Sequence, residues 1–147
     1  MKHTEQWAVV ILAGSSLFAA CQRKPVIPAK EHPAHVERIE GSELKRVTLT
    51  ARAMERIDLR TDQVREQRVS GSASAQRVVP YSSLIYDPEG RTWVYTSPQS
   101  GTFVRHKVDV DFIEGDLVIL KDGPPAGTVV ASMGVAELYG TEFGVGH

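Results

Sequence analysis

The sequence predicts an all-β domain, a β-roll or small barrel of short antiparallel strands with one short α-helix, placed after a signal peptide and a disordered tether. Three observations lead there. Short runs rich in β-branched and aromatic residues are separated by Gly and Pro turns at roughly 8 to 12 residue spacing. Polar and apolar residues alternate from Thr102 to Phe112. A charge-free apolar stretch near the start ends at the only cysteine of the 147 residues. The chain is 41% hydrophobic and 24% charged with a net charge of -1, but these totals mix segments of different kinds, so each is read separately.

Residues 1–20 read as a secretory signal peptide: Lys2 precedes an uncharged stretch from Trp7 to Ala20 that is too short to cross a hydrocarbon core needing about 20 apolar residues. The string Leu17-Phe18-Ala19-Ala20-Cys21 resembles the lipobox of bacterial lipoproteins, with Phe18 where Leu is commonest. That resemblance implies that Cys21 is acylated and becomes the first residue of the mature chain; a covalent lipid is then the expected attached group. Each buried methylene contributes about 0.8 kcal/mol, so two or three acyl chains hold firmly where one binds reversibly. Simple cleavage after Ala20 would instead leave a free thiol in an oxidising compartment. With a single cysteine the folded part forms no internal disulfide, and packing alone must stabilise it. Gln22 after the cysteine resembles the sorting signal for the outer rather than the inner membrane, which puts the protein on the periplasmic face.

Residues 21–45 carry Pro25, Pro28 and Pro33 among charged residues and show no periodic apolar face, so they are expected to be a flexible tether. The folded domain is expected over residues 46–147, close to the commonest size for one domain. Arg46 to Thr50 reads as a strand. Thr50 then caps a helix whose apolar positions Ala51, Met54 and Ile57 share one face. A second strand follows near Leu59 to Val64, and the polar stretch from Arg65 to Gln76 reads as a loop or exposed hairpin.

Strand character resumes at Arg77 to Val79 and again at Ser82 to Tyr86, and the turn Asp87-Pro-Glu-Gly90 leads into Thr92 to Thr96. From Thr102 to Phe112, Val104, His106, Val108, Val110 and Phe112 fall on one face of a half-buried strand. Leu117 to Leu120 is wholly apolar and wants cover on both faces. After the turn Lys121 to Gly127, Thr128 to Met133 closes the set. Gly134, Gly140, Gly144 and Gly146 punctuate a C-terminal tail, expected to pack over the open sheet edge or to serve as a docking peptide.

The near-neutral charge gives no support to nucleic-acid binding. Ser82 and Ser83 lack a nucleophile-elbow sequence and no phosphate-binding Gly motif occurs, so the chain is not expected to be an enzyme. His32 and His35, beside Glu31 and Glu37, form the sharpest metal-ion candidate, although two imidazoles fall short of a closed site. His106 reads as a core or rim histidine. Trp93, Tyr95, Phe103, Tyr139 and Phe143 are candidates for a partner-contact patch, against the alternative that strand aromatics fill the core.

Val79-Pro-Tyr-Ser-Ser-Leu84, Trp93-Val-Tyr95, Phe103-Val-Arg105, Ile113-Glu-Gly-Asp116 and Asp122-Gly-Pro-Pro-Ala-Gly127 occur in this order. Together they resemble the membrane-proximal domain of the periplasmic adaptor subunits, or membrane fusion proteins, of tripartite efflux pumps built on resistance-nodulation-division (RND) transporters. Val47 to Ile57 and Asp58 to Val64 are similar to the part of such adaptors that precedes their lipoyl half. The resemblance implies that residues 66–77 replace the barrel, lipoyl and coiled-coil domains, leaving a membrane-proximal domain closed on itself. It further implies an accessory or binding module of a heavy-metal or drug efflux system, with an RND transporter or full-length adaptor as partner and the membrane reached through the lipid. A periplasmic lipoprotein that buffers or delivers metal ions through its histidines, and a structural envelope lipoprotein, stand as alternatives.

Overall fold

The computed structural model describes residues 32–145. The expected signal peptide, Cys21, the greater part of the expected tether and His147 lie outside them. The fold is all-β, an antiparallel sheet curled into a half-barrel. Its strands are β1 (Ala34–Arg38), β2 (Lys45–Leu49), β3 (Arg60–Gln63), β4 (Arg65–Gln67), β5 (Gln76–Pro80), β6 (Ile85–Tyr86), β7 (Thr92–Gln99), β8 (Thr102–Glu114), β9 (Leu117–Asp122) and β10 (Val129–Met133). Two helices accompany them, α1 (Ala51–Arg56) and α2 (Val135–Phe143).

The organising element is β8. Its first half pairs with β7 on one side and β2 on the other, and its second half pairs with β9. Register shifts at Asp109/Val110 and Val110/Phe112 mark where it passes between the two neighbourhoods, since a bulge bends a strand and increases its twist. From β9 the sheet continues to β5 and β4, and on the far side β7 leads through β10 to β3. Thus β1, β3 and β4 are edges.

Alternation along β7 and β10 feeds two cores. Val94, Val108 and Val130 point into the curl, where Val64, Val79, Val118 and Leu120 fill it. Tyr95, Phe103 and Ala131 point the other way and are buried with Val47, Leu49 and the α2 residues Val135 and Leu138. Both faces of the central strands are therefore covered. For this reason the expectation for β8 holds only in part. Val108 is buried on the expected face, yet Phe103 and Arg105 are buried on the other, beneath α2. His106, expected at the core or rim, is exposed. Phe112, beyond the bulges, is 39% exposed.

Helix α1 begins as expected, with the Thr50 hydroxyl accepting from the Ala53 N–H at 3.2 Å. Met54 and Ile57 pack against the core together with Ala53, whereas Ala51 is exposed and does not belong to the apolar face. The helix ends in paired capping bonds, Asp58 N–H to Glu55 at 3.1 Å and Leu59 N–H to Met54 at 2.9 Å, with Asp58 in the left-handed position at φ 47°.

Two expectations are corrected. The stretch assigned to the tether up to residue 45 contains β1 and the turn Ile39–Leu44, which fold back on β2. Ala34 and Val36 lie opposite Leu49 and Val47, an apolar pair at period 2 that surrounding charges conceal. The C-terminal segment, expected to be a tail over a sheet edge, is the helix α2, which covers a sheet face. Gly134 (φ 70°) and Gly144 (φ 67°) bracket it. A Cβ at residue 134 would stand 2.8 Å from the Ile57 carbonyl oxygen and 3.1 Å from Leu59 Cα, so only glycine fits this approach.

Candidate interaction surface

The stripe that α2 buries is Val135, Leu138 and Glu142, so one of its three anchors is charged. Glu142 is wholly buried and meets Arg105, whose side chain is 8% exposed. Arg105 Nε donates to both Glu142 carboxylate oxygens at 3.0 and 2.9 Å. The Tyr95 hydroxyl donates to the same carboxylate. The Arg105 guanidinium lies over the rings of Trp93 (4.6 Å) and Phe143 (4.9 Å). Lys45 Nζ donates to the Glu142 main-chain carbonyl at 2.9 Å. Burial, and then the hydrogen bond to Glu142, push the Tyr95 hydroxyl well above the usual tyrosine range, which keeps it a neutral donor.

The network continues outward. Trp93 Nε1 donates to Asp87 Oδ2 at 2.9 Å, and the same carboxylate accepts from Arg91 Nε at 2.7 Å and from the N–H groups of Glu89 and Arg91 at 3.1 and 2.8 Å. Burial works to raise the pKa of Asp87. The hydrogen bonds from Trp93 and from the Arg91 backbone and side chain outweigh it and hold the group at about 2. Each named carboxylate and hydroxyl is thus already engaged. The arrangement clamps α2 onto β7 and β8.

This geometry sorts the aromatic candidates. Tyr95 and Phe103 are 0% and 1% exposed and belong to the core, so they are corrected as contact residues. Trp93 and Tyr139 are half-buried. Phe143 is 41% exposed but holds Lys45 and Arg105 against its ring. The five residues do not form one open patch.

Other open apolar groups lie elsewhere. At the β8–β9 turn, Phe112 and Ile113 are 39% and 44% exposed, and Tyr81 is 49% exposed. The Tyr81 N–H donates to the Asp116 carbonyl at 2.8 Å, which brings Tyr81 to the same end of the sheet. Phe112 and Ile113 project from opposite faces of the strand end, and the exposed Asp111 and Asp116 lie in the same stretch of chain. Sequence reasoning missed this group because Phe112 sat in an alternating pattern and Tyr81 beside a proline. The one available signal was Ile113 standing against a Glu-Gly-Asp turn. A cleft of about 880 Å³ lies between β1, α1 and α2, lined by apolar side chains including Ala34, Val36, Leu49 and Ile57.

His32 and His35 are both exposed, and His35 Nε2 is 3.9 Å from Glu37, whose other oxygen is held by Arg46. Among the described residues no group of three or more His, Cys, Asp or Glu side chains is placed to hold a metal ion. None of the described helices is long and apolar enough to cross a membrane.

No family model matches the chain, and no curated protein matches it. Among solved structures, the chain is similar to a 180-residue piece of SilB from Cupriavidus metallidurans CH34, determined by NMR, which encompasses the N-terminal metal-binding site and the membrane-proximal domain of that protein. Identity is 23% and the TM-score 0.44; the match covers 54% of this chain and 42% of the other, less than half its length.

Proposed function

We propose that this chain is a lipid-anchored, non-enzymatic module on the periplasmic face of a bacterial membrane, and that it works by protein-protein contact within an efflux system. Its partner is an RND transporter or a full-length periplasmic adaptor. The observation that carries the reading is how its two adaptor-like sequence blocks are joined. Where the family carries its insertions, the chain runs from β4 through a short loop into β5, and Arg65, Glu66 and Gln67 pair directly with Val78, Arg77 and Gln76. The two ends of the replacing segment 66–77 thus pair with each other in β4 and β5, and Arg65 and Val78 flanking it are neighbours in the sheet, which supports a domain that closes without barrel, lipoyl or coiled-coil parts. A domain reduced in this way keeps its contact surface and loses its reach.

The contact surface assigned here is the β8–β9 end of the sheet, where Tyr81, Phe112 and Ile113 are all exposed, because exposed apolar side chains at one end of a domain are candidates for docking. Photo-crosslinking from positions 81 and 113 in the native host, followed by mass spectrometry, tests the reading. Peptides of an RND transporter or adaptor are expected from both positions and not from the exposed Arg52 on α1, and Ile113→Asp placed beside position 81 reduces their yield. Recovery of unrelated envelope proteins alone would overturn the assignment.

A further inference from the structure

The outer edge of β1 is written so that it can pair with itself. In the β1–β2 ladder the Thr50 N–H donates to the Pro33 carbonyl at 3.0 Å and the Ile39 N–H to the Leu44 carbonyl at 3.1 Å. With Ala34 opposite Leu49 and Arg38 opposite Lys45, hydrogen-bonded pairs fall at His35/Thr48 and Glu37/Arg46, because the two kinds of pair alternate along an antiparallel ladder. The N–H and C=O groups of Ala34, Val36 and Arg38 therefore point away from β2, and among the described residues no other strand pairs with β1. No proline or bulge interrupts this edge between Ala34 and Arg38, although an open edge usually carries such a guard.

We propose that β1 pairs antiparallel with β1 of a second copy of this chain, about a two-fold axis through Val36. In that register Val36 lies opposite the partner's Val36, in a hydrogen-bonded pair that exchanges both main-chain bonds. Ala34 lies opposite Arg38, and His35 opposite Glu37. The exposed face then carries a polar row that is complementary to itself: Arg46 holds Glu37, Glu37 meets the other copy's His35, and the same row repeats in reverse. Direct like-charge opposition is absent, since the two Glu37 side chains are diagonal neighbours and each keeps its own Arg46. On the opposite face the two Val36 side chains, each 36% exposed in the monomer, cover one another. A single surface that is complementary to itself is what a two-fold interface requires. The pairing stands independently of the efflux reading.

Sedimentation of the full chain carrying Cys21→Ser, which leaves no native thiol, is expected to show a monomer–dimer equilibrium. Val36→Pro removes an N–H that faces away from β2, so the monomer fold should survive while dimerisation weakens about tenfold or more. Unchanged far-UV circular dichroism verifies that fold. Cysteine pairing gives a second measurement that does not depend on proline. His35 and Glu37 of opposite copies form a close pair with Cα atoms about 4.5 Å apart, within disulfide reach. A mixture of His35→Cys and Glu37→Cys chains should therefore crosslink faster than either alone. A strictly monomeric chain at all concentrations, a dimer untouched by Val36→Pro, or crosslinking no faster in the mixture would each overturn the pairing.

Discussion

Replacing Glu142 with leucine should be among the most damaging single changes in the described domain that introduce no backbone clash. The substitution leaves the Arg105 guanidinium, 8% exposed in the intact protein, without the carboxylate that accepts from it twice, and removes the acceptor of the buried Tyr95 hydroxyl. Breaking one partner of a buried ion pair costs about 3–5 kcal/mol, a large share of the roughly 5–15 kcal/mol that holds a domain folded. With a urea dependence of about 2 kcal/mol per molar, the unfolding midpoint should fall by about 2 M. The Trp93 ring, 4.6 Å from Arg105, places a fluorophore at the site for the urea titration. Tyr95→Phe, Arg105→Met and Glu142→Leu combined remove every polar member of the buried triad, and this triple variant should recover most of the loss, because matched apolar replacement of a buried pair is often near neutral. A loss below about 1 kcal/mol for Glu142→Leu, or a triple variant no more stable than the single one, would refute the picture of a charge-clamped α2.

The Asp87 carboxyl is held at about 2 against its ordinary 3.8, so the stability it confers is present above about pH 4 and lost as the pH falls through 2. Asp87→Asn should flatten the urea midpoint against pH across that window, and an unchanged acid slope would count against the network. Gly134→Ala forces a Cβ within 2.8 Å of the Ile57 carbonyl oxygen in a left-handed conformation and should cost about 2–3 kcal/mol or more in thermal unfolding. A neutral result would mean that α2 starts elsewhere. Cys21→Ser should abolish palmitate labelling and move the protein from the membrane to the soluble fraction; retention at the membrane would remove the anchor from the proposed function.

The strand set could be read from sequence wherever β-branched runs meet Gly and Pro turns, and the Thr50 cap and helix α1 followed from one hydroxyl and the spacing of Met54 and Ile57, although Ala51 at the same spacing is exposed. Helix α2 escaped because its buried stripe is Val135, Leu138 and Glu142: a glutamate on the inner face looks like a solvent-facing residue unless its partner, Arg105, is known to lie beneath it. β1 escaped because only Ala34 and Val36 carry its pattern, and their cover comes from a strand beyond a turn. The burial of Tyr95 and Phe103 was one of two readings open for strand aromatics, and deciding between them needed a helix on a face expected to be polar. The exposed β8–β9 end depended on two register shifts in β8, and no local pattern announces a bulge of that kind.

The thirteen residues of β8 span about 40 Å, with the N-terminal strands bonded to one end and the β8–β9 turn at the other. Tension between held N-terminal strands and a seized turn would run along that strand. The cross-strand bonds to β2, β7 and β9 would then be strained in shear, many at once, instead of being peeled one after another. Such a geometry yields little before it fails, so a pull at the β8–β9 turn would be transmitted to β1 and β2 with almost no stretching of the domain between.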